Sequence, residues 1–429
     1  MHSTQRPPEQ RVVVTGWGMV SPLGGDVDST FAACAEGKSG VRELTRFDPT
    51  GLPCRIAGQV DDRHIDPDGE PDAASAGARP HRLLVTAARQ AARHADLASI
   101  RARHRVSVVM GGHGGSTTPE QIGRTVRYLD AAGLTDLAAL ARDGGHDHRS
   151  FDHRRCDHAP ARVARDLDAR GAVVPIVSAC AASAQAIGEA ARLLREGRAD
   201  AVVAGGVEAH LTYSGFVGFV LLGALVKRYP SPEKASRPFD RRRNGFVMAE
   251  GAAVVVLETL AHATARGAAI LGELLGYGES ADAYRITDVH PEGRGAILAM
   301  QRALADASLT ADDVQYVNAH GTSTATNDPA ETLAIKTVLG ARAKSVPVSS
   351  NKSMLGHTIG AAGAVEAILT WKGMREGIVL PTINYEVPDP KCDLDYVPNV
   401  ARRMPHAVAL SNSFGFGGQN ACLCLGRAD

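Results

Sequence analysis

The stretch from Pro175 to Gly197, PIVSACAASAQAIGEAARLLREG, admits few folds. It opens as a short apolar strand, Pro175 to Val177, and passes through Ser178 and Ala179, small enough for a tight turn. From Cys180 onward Ala184, Ile187, Ala191 and Leu194 recur at helical spacing until Gly197 ends the run. A strand that feeds straight into a helix is the building unit of α/β proteins. It places Cys180 at or beside a helix N-terminus, where unpaired N–H groups and the positive dipole end favour a thiolate over a thiol. A lone cysteine among alanines is ordinarily a small buried hydrophobe, so the rest of the chain must decide its role.

The same alternation runs along the chain. Strand-like runs fall at 11–20, 105–112, 173–178, 201–206, 252–258, 270–277, 314–318, 346–349, 407–411 and 421–425. Helical patterns fall at 29–37, 82–97, 293–307, 328–339 and 360–376, with 119–170 helical only in parts. This predicts an α/β protein with buried, largely parallel sheets and helices on both faces. No sequence repeat is visible, yet the two halves share an element order. Lysine plus arginine equals aspartate plus glutamate, 47 each, so nothing global points to nucleic acid or an anionic membrane. The first ten residues, MHSTQRPPEQ, hold no apolar signal core, and no run of 18 apolar residues follows. Seven irregularly spaced cysteines make no disulfide framework. A soluble, cytoplasmic protein is expected.

Three later segments carry chemistry-bearing residues among small ones. VNAHGTSTATNDPAET sets His320 just after a strand; VSSNKSMLGHTIGAAGA sets Lys352 and His357 after another. A neutral imidazole in such a loop donates one hydrogen bond while the other nitrogen fixes the tautomer. The third, SNSFGFGGQNA at 411–421, wraps glycines around Phe414 and Phe416 and reads as a tight turn or as a nest of backbone donors.

Together ACAAS, SRPFD, NGFVMAEGA, NAHGTST, NKSMLGHT and GFGG, in that order, closely resemble the β-ketoacyl-acyl carrier protein synthases. The resemblance spans nearly the whole chain. It implies a thiolase-like α/β fold of two pseudo-equivalent halves in five layers, here divided as 1–267, carrying the nucleophile, and 268–429, carrying the histidines. It further implies that Cys180 is the acylated nucleophile, that His320 and His357 are the catalytic histidines, and that Lys352 and Glu331 support them electrostatically. The backbone N–H groups of Cys180 and Phe416 would form an oxyanion hole. Thr322 and Thr324 would hold a phosphopantetheine arm, with Phe416, Phe219 and His113 against the substrate. The implied reaction is decarboxylative Claisen condensation with malonyl-acyl carrier protein, with no cofactor or metal of its own. The implied partners are the carrier protein and a second subunit, either identical or a Cys-less paralogue.

A thiolase proper needs a second catalytic cysteine in the C-terminal loop, and Cys422 and Cys424 lie beyond it. A chain-length-factor subunit would lack the nucleophile. HDHRSFDHRRCDH at 146–158 gathers His146, His148, His153, Cys156 and His158, but matches no standard zinc spacing and reads as a solvated loop. Relative to fatty-acid enzymes, His113 and the polar HRRCDHAP segment stand where apolar groups are expected. They favour specialised-metabolite, polyketide-type synthesis over housekeeping fatty-acid elongation. Lys227, Arg228, Arg241, Arg242 and Arg243 are the candidate docking patch for an acidic carrier protein.

Overall fold

A computed structural model describes residues 6–66, 79–100, 102–112, 123, 126–142 and 155–428. The first half of the chain contributes strands β1 (Val12–Val20), β2 (Val106–Gly112), β3 (Val173–Ile176), β4 (Ala201–Glu208) and β5 (Gly251–Thr259). The second contributes β6 (Gly272–Ala281), β7 (Tyr316–Asn318), β8 (Val348–Ser349), β9 (Val408–Gly415) and β10 (Gln419–Gly426). They hydrogen-bond in the order β8-β7-β9-β10-β6-β1-β5-β4-β2-β3. Each half therefore repeats one arrangement, β3-β2-β4-β5-β1 and β8-β7-β9-β10-β6. The halves join where Val12 to Val14 pair with Leu274 to Gly272.

The expected strands are present, but the sheet is mixed. Only β2 with β3, β2 with β4, β7 with β8 and β7 with β9 run parallel. The five central pairings, from β9 to β4, are antiparallel. These strands are buried on both faces, so their side-chain pattern reads the same whichever way a neighbour runs.

Among the described residues, five main helices cover the sheet: α1 (Arg79–His94), α2 (Ala182–Arg195), α3 (Arg294–Ala307), α4 (Asn327–Leu339) and α5 (Ala362–Glu376). Helices α2 and α5 share a core between the two half-sheets, with Ile187 and Leu194 beside Ile368 and Trp371. Their approach is close: a Cβ on Gly363 would sit 2.7 Å from the Ala184 Cβ. The outer face of the first half packs on α1 through Leu83, Leu84 and Ala87, and that of the second on α3 and α4 through Met300, Leu304 and Ile335. Each such fully buried leucine stabilises by about 1.5–3 kcal/mol. Helix, sheet, helix, sheet and helix make the five expected layers.

The paired halves also repeat one local turn. Ala179–Ala181 forms a single 3-10 turn before α2, and Ile359–Ala361 forms another before α5. Each opens on a residue with positive φ, Ala179 at 49° and Ile359 at 32°.

Candidate active site

Cys180 sits within the first of these turns rather than in the helix proper, which begins at Ala182. Its left-handed predecessor Ala179 bends the chain sharply after β3. Gly415, at the end of β9, lies so close that a Cβ there would be 2.9 Å from the Ser178 carbonyl and 3.2 Å from the Cys180 nitrogen. A glycine is needed for this crossing, and it brings the Phe416 N–H against the Cys180 sulfur.

The two histidine loops converge on the same point. His357 Nε2 lies 3.1 Å from Cys180 Sγ. The His320 and His357 rings meet edge to face, 5.3 Å between centroids. His357 Nδ1 accepts the Ile359 N–H at 3.3 Å, which places the imidazole proton on Nε2, facing the sulfur. His320 Nδ1 is buried with no hydrogen-bond partner among the described residues. Burial and the nearby Lys352 ammonium hold both imidazoles well below their usual pKa, so both are neutral at physiological pH.

The sulfur departs from expectation. Burial pushes the Cys180 thiol up to about 12, against the opposing pull of Lys352 and the Phe416 N–H. The resting group is a thiol, because desolvation outweighs the favourable end of the helix.

Lys352 and Glu331 lie beneath the histidines but do not pair with each other. Lys352 Nζ lies 2.5 Å from Glu366 Oε1, both side chains almost fully buried, and Asn318 bonds the other Glu366 oxygen at 3.3 Å. Glu331 instead grips the His320 loop: its oxygens accept the N–H groups of His320 at 2.8 Å and Gly321 at 2.7 Å. Asn412 and Asn327 donate to the same carboxylate. Burial raises Glu331 to about 7 despite these donors. Sequence reasoning missed Glu366, although a lone acid within the apolar face AGAVEAIL of α5 is a visible signal.

A cavity of about 540 Å³ opens onto Cys180, His320 and His357. Phe219, Phe246, Phe416 and Ile359 give it an apolar wall; Thr322, Thr324 and Asn244 line its polar side. Phe219 stacks on Phe416 at 6.4 Å, and the Thr322 and Thr324 hydroxyls share a 3.0 Å hydrogen bond. The nest of donors expected at Gly415–Gly418 reduces to Phe416. Gly417 N–H donates to the Ile286 carbonyl and Gly418 N–H to that of Gly415.

The docking patch also needs correction. Arg243 is 5% exposed and locked to Asp389 at 2.6 Å, with Asp328 at 3.7 Å and the Thr324 carbonyl at 2.9 Å. Its charge is consumed inside the protein. Arg242 pairs with Glu386 and is exposed, as are Lys227, Arg228 and Arg241. His113, His146, His148 and His153 lie outside the described residues. Of the 146–158 cluster, Cys156 is exposed and His158 Nδ1 lies 3.1 Å from His81 Nε2. The ligand atoms of Cys180, His320 and His357 lie within 4.8 Å of one another, a spacing a metal ion could also span. The Lys352 ammonium beside them opposes a divalent cation.

Residues 9–263 match the family model of the β-ketoacyl synthase N-terminal domain, and residues 271–386 that of its C-terminal domain. The chain belongs to the β-ketoacyl synthase family. The synthase is 42% identical over 426 residues to 3-oxoacyl-[acyl-carrier-protein] synthase 2 of Coxiella burnetii, covering 98% of this chain and 99% of that one. Among solved structures it resembles a type II polyketide ketosynthase in complex with its acyl-carrier protein and bound to a hexaketide. There the TM-score is 0.85 at 33% identity, with 97% of this chain and 99% of the other covered. The ishigamide ketosynthase/chain length factor matches equally well, with TM-score 0.85, 33% identity and coverage of 98% and 99%. The synthase is thus a decarboxylating condensing acyltransferase of thiolase-like fold. No described helix is long and apolar enough to cross a membrane.

Proposed function

We propose that the synthase elongates a Cys180-bound acyl chain with malonyl units delivered on an acyl carrier protein, and that its ordinary substrate is an alkyl chain of the fatty-acid type. The observation that carries the reaction is the convergence of one cysteine and two neutral imidazoles at the end of a cavity. The alkyl chain rests on the aromatic and aliphatic wall around Cys180 and on the relatives' names.

In the first half-reaction the Cys180 sulfur attacks the acyl thioester, and the carrier's pantetheine sulfur leaves with the thiol proton. Transfer of that proton during attack accommodates a nucleophile that rests as a thiol. In the second, the malonyl carboxylate leaves as carbon dioxide and its bonding pair moves into the thioester enolate. The N–H groups of His320 and His357 meet the developing oxyanion as neutral donors. The enolate carbon then attacks the acyl-Cys180 carbonyl. That oxyanion falls to the backbone N–H groups of Cys180 and Phe416, and collapse expels the Cys180 thiolate, which takes up one proton from solvent to return to the resting thiol. No cofactor enters these steps as proposed, since both substrates arrive on phosphopantetheine; Thr322 and Thr324, which line the polar side of the cavity, support its binding there.

A polyketide-type acyl group is the second reading, supported by the two type II ketosynthase structures. Of the residues that favoured it from sequence, His113 and His153 lie outside the described residues; in the rest of HRRCDHAP, Arg155 pairs with Asp157, Cys156 is exposed and His158 lies against His81, which lends the reading nothing further. Those structures also motivate a carrier-protein partner and a second ketosynthase-like subunit. Incubating the protein with malonyl-carrier protein and a panel of acyl-carrier proteins, then weighing the products, tests both readings. Extension of saturated chains supports the first. Loading of only short or polyunsaturated chains, with saturated ones refused, replaces it with the second.

A further inference from the structure

Glu208 closes β4 and is 2% exposed, yet no step above uses it. One carboxylate oxygen accepts the N–H groups of Ala209 at 2.9 Å and His210 at 3.0 Å, and the His210 Nδ1 lies against the same oxygen. The other oxygen accepts the Gly360 N–H at 3.3 Å. Gly360 stands in the turn before α5 at the position Cys180 holds before α2, three residues beyond His357.

That turn controls the imidazole. The His357 main chain is pinned separately, its N–H on the Val247 carbonyl at 2.7 Å and its carbonyl on the Ala249 N–H at 2.9 Å. What remains free is the rotation of the ring and the site of its proton, and the Ile359 N–H on Nδ1 settles both. Ile359, however, holds φ at 32°, a conformation a β-branched residue adopts only when its surroundings impose it. The adjacent Gly360 N–H, fastened to Glu208, is one restraint that imposes it. His210 in turn saturates the carboxylate's far oxygen and stops it from rotating away.

We propose that Glu208 and His210 are positioning residues that hold the Ile359–Gly360 turn, so that the His357 ring keeps Nε2–H aimed at the reacting atoms. The proposal rests on the condensing-enzyme reading for its kinetic consequence but not for its structural one. It predicts an effect on the step that uses the His357 proton, malonyl decarboxylation, and little effect on carrier-protein binding.

Three variants test it: Glu208→Gln, His210→Ala and His210→Gln. Glu208→Gln puts an amide NH₂ among backbone donors and should lower kcat for malonyl-carrier decarboxylation by about 10- to 100-fold, the scale of a misplaced catalytic group. KM and Cys180 acylation, followed by intact mass, should stay within about twofold, as for a change that leaves binding untouched. His210→Ala should act in the same direction, and His210→Gln, whose amide can still donate to Glu208, should restore most of the rate. Nitrogen-15 spectra of the imidazoles give a readout that needs no substrate: His357 protonated on Nε2 alone in the wild type, and a tautomer mixture in Glu208→Gln and His210→Ala. The His210 side chain is 21% exposed, so its variants decide the matter if Glu208→Gln does not fold. Wild-type rates and a wild-type His357 spectrum in His210→Ala would overturn the proposal, as would equal losses in acylation, KM and kcat. A wild type with the single tautomer but no decarboxylation would instead sink the proposed function.

Discussion

Replacing Lys352 with methionine separates the two tasks of the buried Lys352–Glu366 pair. Both side chains are almost fully buried, 2% and 3% exposed, with a 2.5 Å contact. Methionine fills the space but leaves the Glu366 carboxylate with Asn318 at 3.3 Å as its remaining side-chain donor. Breaking a buried pair from one side costs about 3–5 kcal/mol, because an uncompensated charge stays in low dielectric. Urea unfolding should show that loss. The second effect is electrostatic. Burial first and Lys352 next keep His320 and His357 neutral, so removing the ammonium raises both imidazoles toward their usual range. Protonating Nδ1 would set His357 against the Ile359 N–H that it accepts, so decarboxylation should fail as pH falls through the imidazole pKa. The acid limb of its pH profile should therefore move to higher pH in Lys352→Met. Adding Glu366→Leu should recover most of the stability without moving the limb back. Unchanged stability in the single variant would show that Glu366 does not depend on Lys352, and a wild-type acid limb in both would show that the ammonium does not hold the imidazoles neutral.

Cys180→Ala should abolish acylation, read by intact mass, while leaving the melting curve unchanged, since its neighbours are already alanines. His320→Ala and His357→Ala should still take an acyl group but lose about 2.7–4 kcal/mol of decarboxylation, the usual cost of an oxyanion donor, read as carbon dioxide release. Charge reversal at Lys227 and Arg228 should raise KM for carrier-bound substrate and flatten its dependence on salt. Reversal at Arg243 should instead lower the unfolding midpoint, since it sets a carboxylate against Asp328 and Asp389.

The elements were legible because long, strongly patterned runs bury one side or both, and their ends carry glycine. Cys180, His320 and His357 were legible as a set only through the motifs around them, because they lie far apart in the chain and meet through the turns. Strand direction was not legible, since doubly buried strands carry no sign of their neighbours' direction. Neither was the protonation of Cys180: the helix end is written in the sequence, but the burial that overrides it is assembled from β9, the 357–359 turn and the phenylalanines. Arg243 looked like its neighbours in the run RRRNG, and only the fold sets it against Asp328 and Asp389. Glu208 and His210 went unnoticed because their partner, the Gly360 N–H, is a backbone group that no sequence motif announces.

The turn repeated before α2 and α5 bears on stoichiometry. The first copy carries a thiol that faces a cavity. At the second, a Cβ on Gly360 would lie 2.9 Å from the Gly112 Cα and 3.1 Å from the Val207 carbonyl, so no side chain fits. Of the two turns only one thus carries a nucleophile, so under the proposed function each chain should hold one growing acyl group. Substitution of Gly360 by cysteine would break the packing of β2 and β4 before it supplied a second nucleophile.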